Sequence, residues 1–220
     1  TPSNDQKQRV IEFCKFATKA DAIEFAVKLA EYIDVDNLAR FMAITTWLSD
    51  LDGILGPGQN YYVYLHPKTQ KFIFIPWDQD QTFGQFPRGT EEQRENLSIH
   101  KPWTGENRFL ERVYKTESFK NAYLARMKEF NETISQPERI HRQVDELASV
   151  LQAPMQAESA ERVAVMNKAA AGEKVTISMG PGFRGGALMK PIKPFVQARS
   201  KSISDQVAGK SNGQTINPGW

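Results

Sequence analysis

The sequence predicts an α+β protein in which helices dominate and one β-hairpin is inserted between them. Most of the chain carries apolar residues at helical spacing, whereas residues 61–65 and 71–75 are aromatic and β-branched runs joined by five turn-forming residues. The 220 residues are 40% hydrophobic and 25% charged, which is ordinary for a folded globular chain and excludes wholesale disorder. We therefore expect a single domain over residues 1–220.

Three helices are predicted in the first third of the chain. The first has an apolar stripe within residues 10–17, and Thr18 with Asp21 resembles a capping box that begins the second. Asp34 is expected to cap the third, whose apolar stripe lies within residues 38–48. The second helix is expected to turn a row of five residues toward the core: Ile23, Ala26, Leu29, Ala30 and Ile33.

The helical pattern stops at Ser49 and returns near residue 106. Residues 50–58 combine acids with Gly-Pro-Gly and predict a loop before the hairpin. Further helices are expected over 106–115, 119–130, from Pro137, over 155–170 and over 195–208. Between the last two, residues 171–193 are rich in glycine and proline and predict a flexible loop.

Acidic residues lie at both ends of the predicted hairpin. Asp50, Asp52 and Asn60 precede its first strand, and Asp78 and Asp80 follow its second. A hairpin returns its two ends to the same place, with strands about 4.8 Å apart, so these side chains can converge. Two carboxylates and an amide oxygen suit Mg²⁺ or Mn²⁺ better than zinc, and the cation offsets their repulsion. The sequence therefore predicts a hard-metal site, although the acids also fit plain turn formers, the interpretation preferred for Asp50.

Two segments of the hairpin region resemble a known signature. Asn-Tyr-Tyr-Val-Tyr at 60–64 and Ile-Pro-Trp-Asp-Gln-Asp-Gln-Thr-Phe-Gly at 75–84 resemble the spore-coat protein H (CotH) kinase family. That family shows an Asn-Tyr-Tyr-Leu-Tyr strand, a short turn and an Ile-Pro-Trp-Asp-x-Asp-x-Thr-Phe-Gly segment. The resemblance covers residues 18–84 well and the rest loosely, including Lys-Pro-Phe at 193–195 with Arg199 and Gln206 on the last helix.

The resemblance implies an atypical protein kinase that uses ATP and Mg²⁺ (or Mn²⁺) to phosphorylate Ser or Thr of a coat or secreted protein. In that layout Asp52 is the catalytic base that accepts the proton of the substrate hydroxyl. Asn60 and Asp78 hold magnesium on the nucleotide phosphates, and Asp80 either assists a second ion or bonds locally. The resemblance also implies a location in the spore coat, outside the cell or at its surface.

The spacing before the first strand departs from the family pattern. Eight positions separate Asp52 from Asn60, whereas the family usually has about five, and residues 55–58 are interpreted as a loop insertion. Asp50 is the alternative base, with the register shifted by two. Gly53 favours Asp52, because the family has an Asp-Gly pair there.

A second departure from the family pattern is that the segments expected to cover the nucleotide phosphates are missing. Nothing before Asp52 offers a strand-borne lysine or a glycine-rich loop over the phosphates, so the chain is expected to be a kinase-like C-terminal lobe. Its expected partners are a protein substrate and the missing N-terminal lobe or a companion chain. No apolar run approaches the roughly 18 residues of a membrane span, and the spaced basic residues of 168–220 lack a nucleic-acid signature. The alternatives are a non-catalytic spore-coat or surface interaction protein with a kinase-like fold, and a nucleotidyl transferase.

Overall fold

A computed structural model describes residues 2–178 and 186–217 of the protein, with the backbone alone at residues 177–178 and 186–189. The fold in this range is α+β and mostly helical, as the sequence predicts. The elements are α1 (Asn4–Lys19), α2 (Ala22–Tyr32), α3 (Val35–Trp47), β1 (Tyr61–Leu65), β2 (Phe72–Pro76), α4 (Glu91–Glu95), α5 (Arg108–Lys115), α6 (Glu117–Glu132), α7 (Pro137–Glu158), α8 (Ala160–Ala170), β3 (Val175–Ser178), β4 (Gly186–Met189) and α9 (Ile192–Val207).

The N-terminal helices begin at residues whose side chains accept backbone hydrogen bonds. Asp21 caps α2 by accepting from the N–H of Glu24 at 2.8 Å, and Asp34 caps α3 by accepting from the N–H of Asn37 at 3.0 Å. Each bond pairs one of the N–H groups that the first turn of a helix leaves without an intrahelical partner. The predicted start of α3 is therefore confirmed. The second helix is instead capped by Asp21, three residues after the predicted cap Thr18, because Thr18 still lies in α1 and its hydroxyl donates to the carbonyl of Cys14 at 2.7 Å.

The buried face of α2 differs from the expected row. Phe25 and Leu29 are buried, whereas Ile23 is 79% exposed. Phe16 of α1 explains the difference, because its ring stacks on Phe25 with centroids 5.1 Å apart and turns that side of α2 inward. Apolar side chains lie on more than one side of α2, so hydrophobic spacing alone does not tell which row faces the core.

The hairpin is anchored on the first turn of α3. Strands β1 and β2 pair antiparallel with Tyr61 opposite Pro76 and Leu65 opposite Phe72. The N–H of Phe74 donates to the side-chain oxygen of Asn37 at 2.8 Å, and the N–H of Asp34 donates to the carbonyl of Phe72 at 3.1 Å. Since Phe72 and Phe74 are also buried in the core, the position of the hairpin follows from α3.

The other end of α3 is held by a buried arginine on α9. Arg199 is fully buried, and its guanidinium donates to the carbonyls of Thr46, Trp47, Glu95 and Leu97 at 2.7–3.2 Å. Burial lowers the pKa of Arg199 to about 9. Hydrogen bonds from Arg199 to the carbonyls of Thr46 and Trp47 therefore fix the end of α3, directly before the loop that carries Asp52.

The region 171–193 is more regular than the sequence suggested. It contains β3 and β4, which pair antiparallel from Val175 opposite Met189 to Ser178 opposite Gly186. The β-branched run Val-Thr-Ile at 175–177 favours a strand. The nearby glycines and prolines favour a loop, and the prediction followed them. The part of the expected loop at residues 179–185 lies outside the described part of the chain. Among the described helices, none is both long and apolar enough to cross a membrane.

Candidate functional site

The site lies at the open end of the hairpin, where both strands pass into loops. Asn60 directly precedes β1, and its carbonyl accepts the N–H of Trp77 at 3.1 Å, just beyond β2. Asn60 and Asp78 have φ angles of +59° and +51°. Asn and Asp adopt this left-handed conformation more readily than most residues. The backbone therefore brings the two predicted metal ligands to neighbouring positions and bends away from the sheet at each.

Asp52 and Asn60 form a hydrogen-bonded pair of side chains in the site. The amide nitrogen of Asn60 donates to Oδ2 of Asp52 at 3.0 Å and to its backbone carbonyl at 3.1 Å. Gln59 donates to Oδ1 of the same carboxylate at 3.0 Å. The intervening segment folds back on itself, because the N–H groups of Gly56 and Gly58 both donate to the carbonyl of Gly53 at 3.1 Å. A compact turn thus accommodates the eight-position separation.

Asp50 has different surroundings from Asp52. Its side chain is only 2% exposed, Oδ2 accepts from the amide nitrogen of Gln79 at 3.2 Å, and Oδ1 has no hydrogen-bond partner among the described residues. Burial raises the pKa of Asp50 to about 6, and the hydrogen bond from Gln79 and the nearby N–H groups of Asp52 and Gly53 partly oppose this rise. Asp50 is therefore an interior carboxyl group, whereas Asp52 is half-buried at the mouth.

Asp78 and Asp80 are exposed to solvent. Asp80 accepts one hydrogen bond, from the amide of Gln81 at 3.2 Å. Within residues 2–178 and 186–217, no three His, Cys, Asp or Glu side chains lie close enough to hold a metal ion. The amide oxygen of Asn60 and the exposed carboxylate of Asp78 are oxygen donors at this mouth of the kind that suits a hard cation. Both hydrogen bonds of Asn60 to Asp52 use its nitrogen, so Oδ1 stays available for a cation.

A known protein family matches most of the chain. The family described as CotH kinase protein matches residues 2–177 of the chain, from α1 through most of β3. The chain belongs to the CotH kinase family. A curated relative, the inner spore coat protein H of Bacillus subtilis (strain 168), is 28% identical over 100 residues. That alignment covers 46% of this chain and 26% of the relative, so the chain spans well under two thirds of the relative's length.

The CotH family match confirms the resemblance and extends it beyond residues 18–84. All four predicted site residues, Asp52, Asn60, Asp78 and Asp80, lie inside the matched range. Helix α9, with Arg199, lies outside it, although Arg199 holds the chain directly before the loop of Asp52.

Sequence reasoning missed two amide side chains that contact this CotH-family site. Gln59 binds Asp52, and Gln79 binds Asp50. Gln59 directly precedes Asn60, and Gln79 lies between Asp78 and Asp80, so their positions in the sequence were the available signal. The direction of each side chain depends on the loop conformation, which the sequence pattern does not give.

Aromatic and apolar surfaces flank the CotH-family site. Trp77 is 58% exposed, and its ring meets that of Tyr62 edge-on, with centroids 5.4 Å apart. On the other side, Asp80 and Thr82 border a cavity of about 790 Å³ whose remaining walls are largely apolar side chains of α7 and α8. Phe83 packs edge-on against Phe195 of α9 and holds this loop on the core.

Proposed function

We propose that this chain is the catalytic C-terminal part of an atypical protein kinase, which transfers the γ-phosphoryl group of ATP to Ser or Thr. The observation that carries the proposal is the hydrogen-bonded pair of Asp52 and Asn60 beside the backbone of Asp78. Membership of the CotH kinase family supports it through the name of the family. A plain surface protein has no need for this pair at the mouth of a hairpin.

The proposed chemistry assigns the substrate hydroxyl to Asp52. Hydrogen bonds from the amides of Gln59 and Asn60 hold its carboxylate in one orientation. The hydroxyl would donate its proton to Asp52 while its oxygen bonds the γ-phosphorus, and the β–γ bridging oxygen would leave with ADP.

The amide oxygen of Asn60 and the carboxylate of Asp78 would hold Mg²⁺ or Mn²⁺, with Asp80 beside a second ion. The cation would neutralise charge on the phosphates when bound. Asp78 is exposed, so its side chain is accessible to a metal–nucleotide complex arriving from solvent.

The proposed acceptor is a protein of the spore coat or another extracellular surface. The relative from Bacillus subtilis is named an inner spore coat protein, which supports coat association. Kinases enclose their nucleotide between two lobes, and residues 2–178 and 186–217 supply the hairpin side alone. We therefore assign the other side of the nucleotide to an N-terminal lobe or a companion chain.

Mass analysis of the natural full-length protein tests the proposal. The protein would be incubated with ATP, Mg²⁺ and a Ser-rich acceptor protein, next to an Asp78→Asn control. We expect the acceptor to gain the mass of one or more phosphate groups with the parent protein but not with the Asp78→Asn variant. A nucleotide-sized gain would replace the kinase with a nucleotidyl transferase. No gain on any coat protein would favour a non-catalytic interaction protein.

A further inference from the structure

A partly buried hydrogen bond joins the two loops of the site. Gln79 donates to Oδ2 of Asp50 at 3.2 Å, across 29 positions of the chain. Asp50 belongs to the loop that carries Asp52, and Gln79 belongs to the loop that carries Asp78. Among the side-chain hydrogen bonds of the described residues, this bond alone links residues 49–59 to residues 77–81.

Gln79 is held at both its side chain and its backbone. The same amide nitrogen that binds Asp50 also donates to the carbonyl of Trp77 at 2.8 Å. The carbonyl of Gln79 accepts from the hydroxyl of Thr82 at 2.8 Å and from its N–H at 3.3 Å. Thr82 is buried. The side chain of Gln79 therefore has little freedom to move independently of the loop that bears Asp78.

Asp50 is equally constrained on its own loop. A Cβ atom added to Gly53 would lie 2.5 Å from Oδ2 of Asp50, closer than real Cβ contacts come. The nearby N–H groups of Asp52 and Gly53 favour the ionised carboxyl group. Asp50 thus packs directly under the backbone of Asp52 and the residue that follows it.

From this geometry we infer that Asp50 and Gln79 act together as positioning residues, holding the catalytic base Asp52 in register with Asp78. The inference rests on the proposed function, because it assigns what the Asp50–Gln79 pair does for that site. Neither residue touches the substrate in this assignment. Their effect passes through the backbone of the two loops, which carry the base and the metal ligand.

The matched variants are Gln79→Ala, Gln79→Glu and Gln85→Ala. Gln85 is a suitable control because it lies on the same polypeptide stretch, is half-buried and donates to a backbone carbonyl, that of Lys190, at 2.7 Å. Gln79→Glu keeps the shape of the side chain but replaces the donor with an oxygen that repels Asp50. A role in packing alone would tolerate this variant, whereas the positioning role predicts that it is at least as damaging as Gln79→Ala.

The first measurement is phosphate transfer by the full-length protein at saturating ATP and Mg²⁺. We expect kcat to fall about tenfold or more in both Gln79 variants, with the KM for ATP within about twofold and the melting temperature near that of Gln85→Ala. Asp50→Ala, which removes the acceptor, completes the comparison: the double variant Asp50→Ala with Gln79→Ala should be no slower than the slower of the two single variants. The inference would be overturned if the Gln79 variants had the kcat of Gln85→Ala. It would also be overturned if the rate loss of the double variant equalled the product of the losses of the two single variants.

The second measurement, amide hydrogen exchange, requires no catalysis. Gln79→Ala should speed exchange at residues 50–53 about tenfold, although they lie almost 30 positions away, and Gln85→Ala should leave them unchanged. If the parent protein transfers no phosphate, the proposed function fails and exchange alone decides whether the two loops are coupled. Unchanged exchange at residues 50–53 in both Gln79 variants would overturn the coupling.

Discussion

Asp50 and Asp52 are two positions apart, and their carboxyl groups have different surroundings. The carboxylate of Asp52 is half-buried and accepts hydrogen bonds from two amide side chains. Asp50 is shielded from water, with one oxygen lacking a partner among the described residues. A base must be reached by the substrate hydroxyl, so these surroundings favour Asp52 for that role and leave Asp50 below it.

The roles of Asp52 and Asp78 can be separated by isosteric substitution. Asp52→Asn should leave nucleotide affinity nearly intact and lower transfer by about 10²–10⁴-fold, because a base is lost. Asp78→Asn should weaken Mg²⁺-dependent nucleotide binding and transfer together, since an amide is a poorer magnesium ligand than a carboxylate. Calorimetry with ATP and Mg²⁺, run beside transfer assays, distinguishes them. Normal transfer by both variants would place the site elsewhere.

The raised pKa of Asp50 predicts how the stability of the metal-free chain depends on pH. Its pKa of about 6 in the fold exceeds the ordinary 3.8, so the folded state binds more protons than the unfolded state between these values. Asp50 therefore disfavours folding increasingly as pH rises from about 4 through 6, by about 3 kcal/mol at most.

Asp50→Asn should remove that dependence, so the variant should gain stability relative to the parent between pH 5 and 7. Urea unfolding at several pH values measures the difference, with Glu146→Gln on the exposed face of α7 as the control. Parallel pH curves for the parent and Asp50→Asn would contradict this account.

At the scale of elements, the hairpin depends on α3 for its position. The bond from the N–H of Phe74 to Asn37 joins the second strand to the first turn of that helix. Phe74 is itself buried, so water cannot readily replace a lost partner. The helix thus fixes where residues 60 and 77 meet.

Asn37→Ala should lower the free energy of unfolding by about 1–2 kcal/mol, because it leaves the N–H of Phe74 without an acceptor. Asn37→Asp should recover most of this loss, since a carboxylate oxygen can accept the same bond. Asn121→Ala, at an exposed position of α6, is the control and should change stability little. Denaturant unfolding compares the three variants, and equal stability of Asn37→Ala and the parent would argue against the anchor.

The sequence predicts the elements around the site better than their buried faces. Turn residues, helix caps and the alternation of the hairpin are local signals, and they identify α3, β1 and β2 correctly. The buried row of α2 and the burial of Asp50 depend on contacts with distant residues such as Phe16 and Gln79. Such contacts follow from tertiary packing, so a pattern confined to neighbouring positions cannot reveal them.

At the scale of the whole molecule, α9 connects the end of the described chain to the start of the site. Arg199 contributes one guanidinium to carbonyls from two separate segments, 46–47 and 95–97. Its planar fork spreads five donors over three nitrogens and so reaches carbonyls in different directions, whereas the three donors of a lysine ammonium sit on one nitrogen. The last helix is therefore needed for the geometry of a loop about 150 positions earlier.

Arg199→Lys should destabilise the protein by about 2 kcal/mol or more, because several buried carbonyls lose their donor. Lys201→Met is a suitable control, since Lys201 is exposed on the same helix and pairs only with Asp205 among the described residues. Thermal unfolding gives the stability, and hydrogen exchange at residues 48–53 shows whether the loop loosens. A Lys variant with the stability and exchange of the control would rule out this role for the guanidinium.

The left-handed backbone at Asn60 and Asp78 separates the chemistry of the site from the survival of the fold. Glycine adopts such angles without strain, so replacing either residue by glycine would delete a proposed metal ligand with little conformational penalty in the native state. One or two such substitutions would thus abolish the proposed activity while leaving the fold intact. Active enzymes and inert structural proteins can then diverge on this scaffold while differing at very few positions.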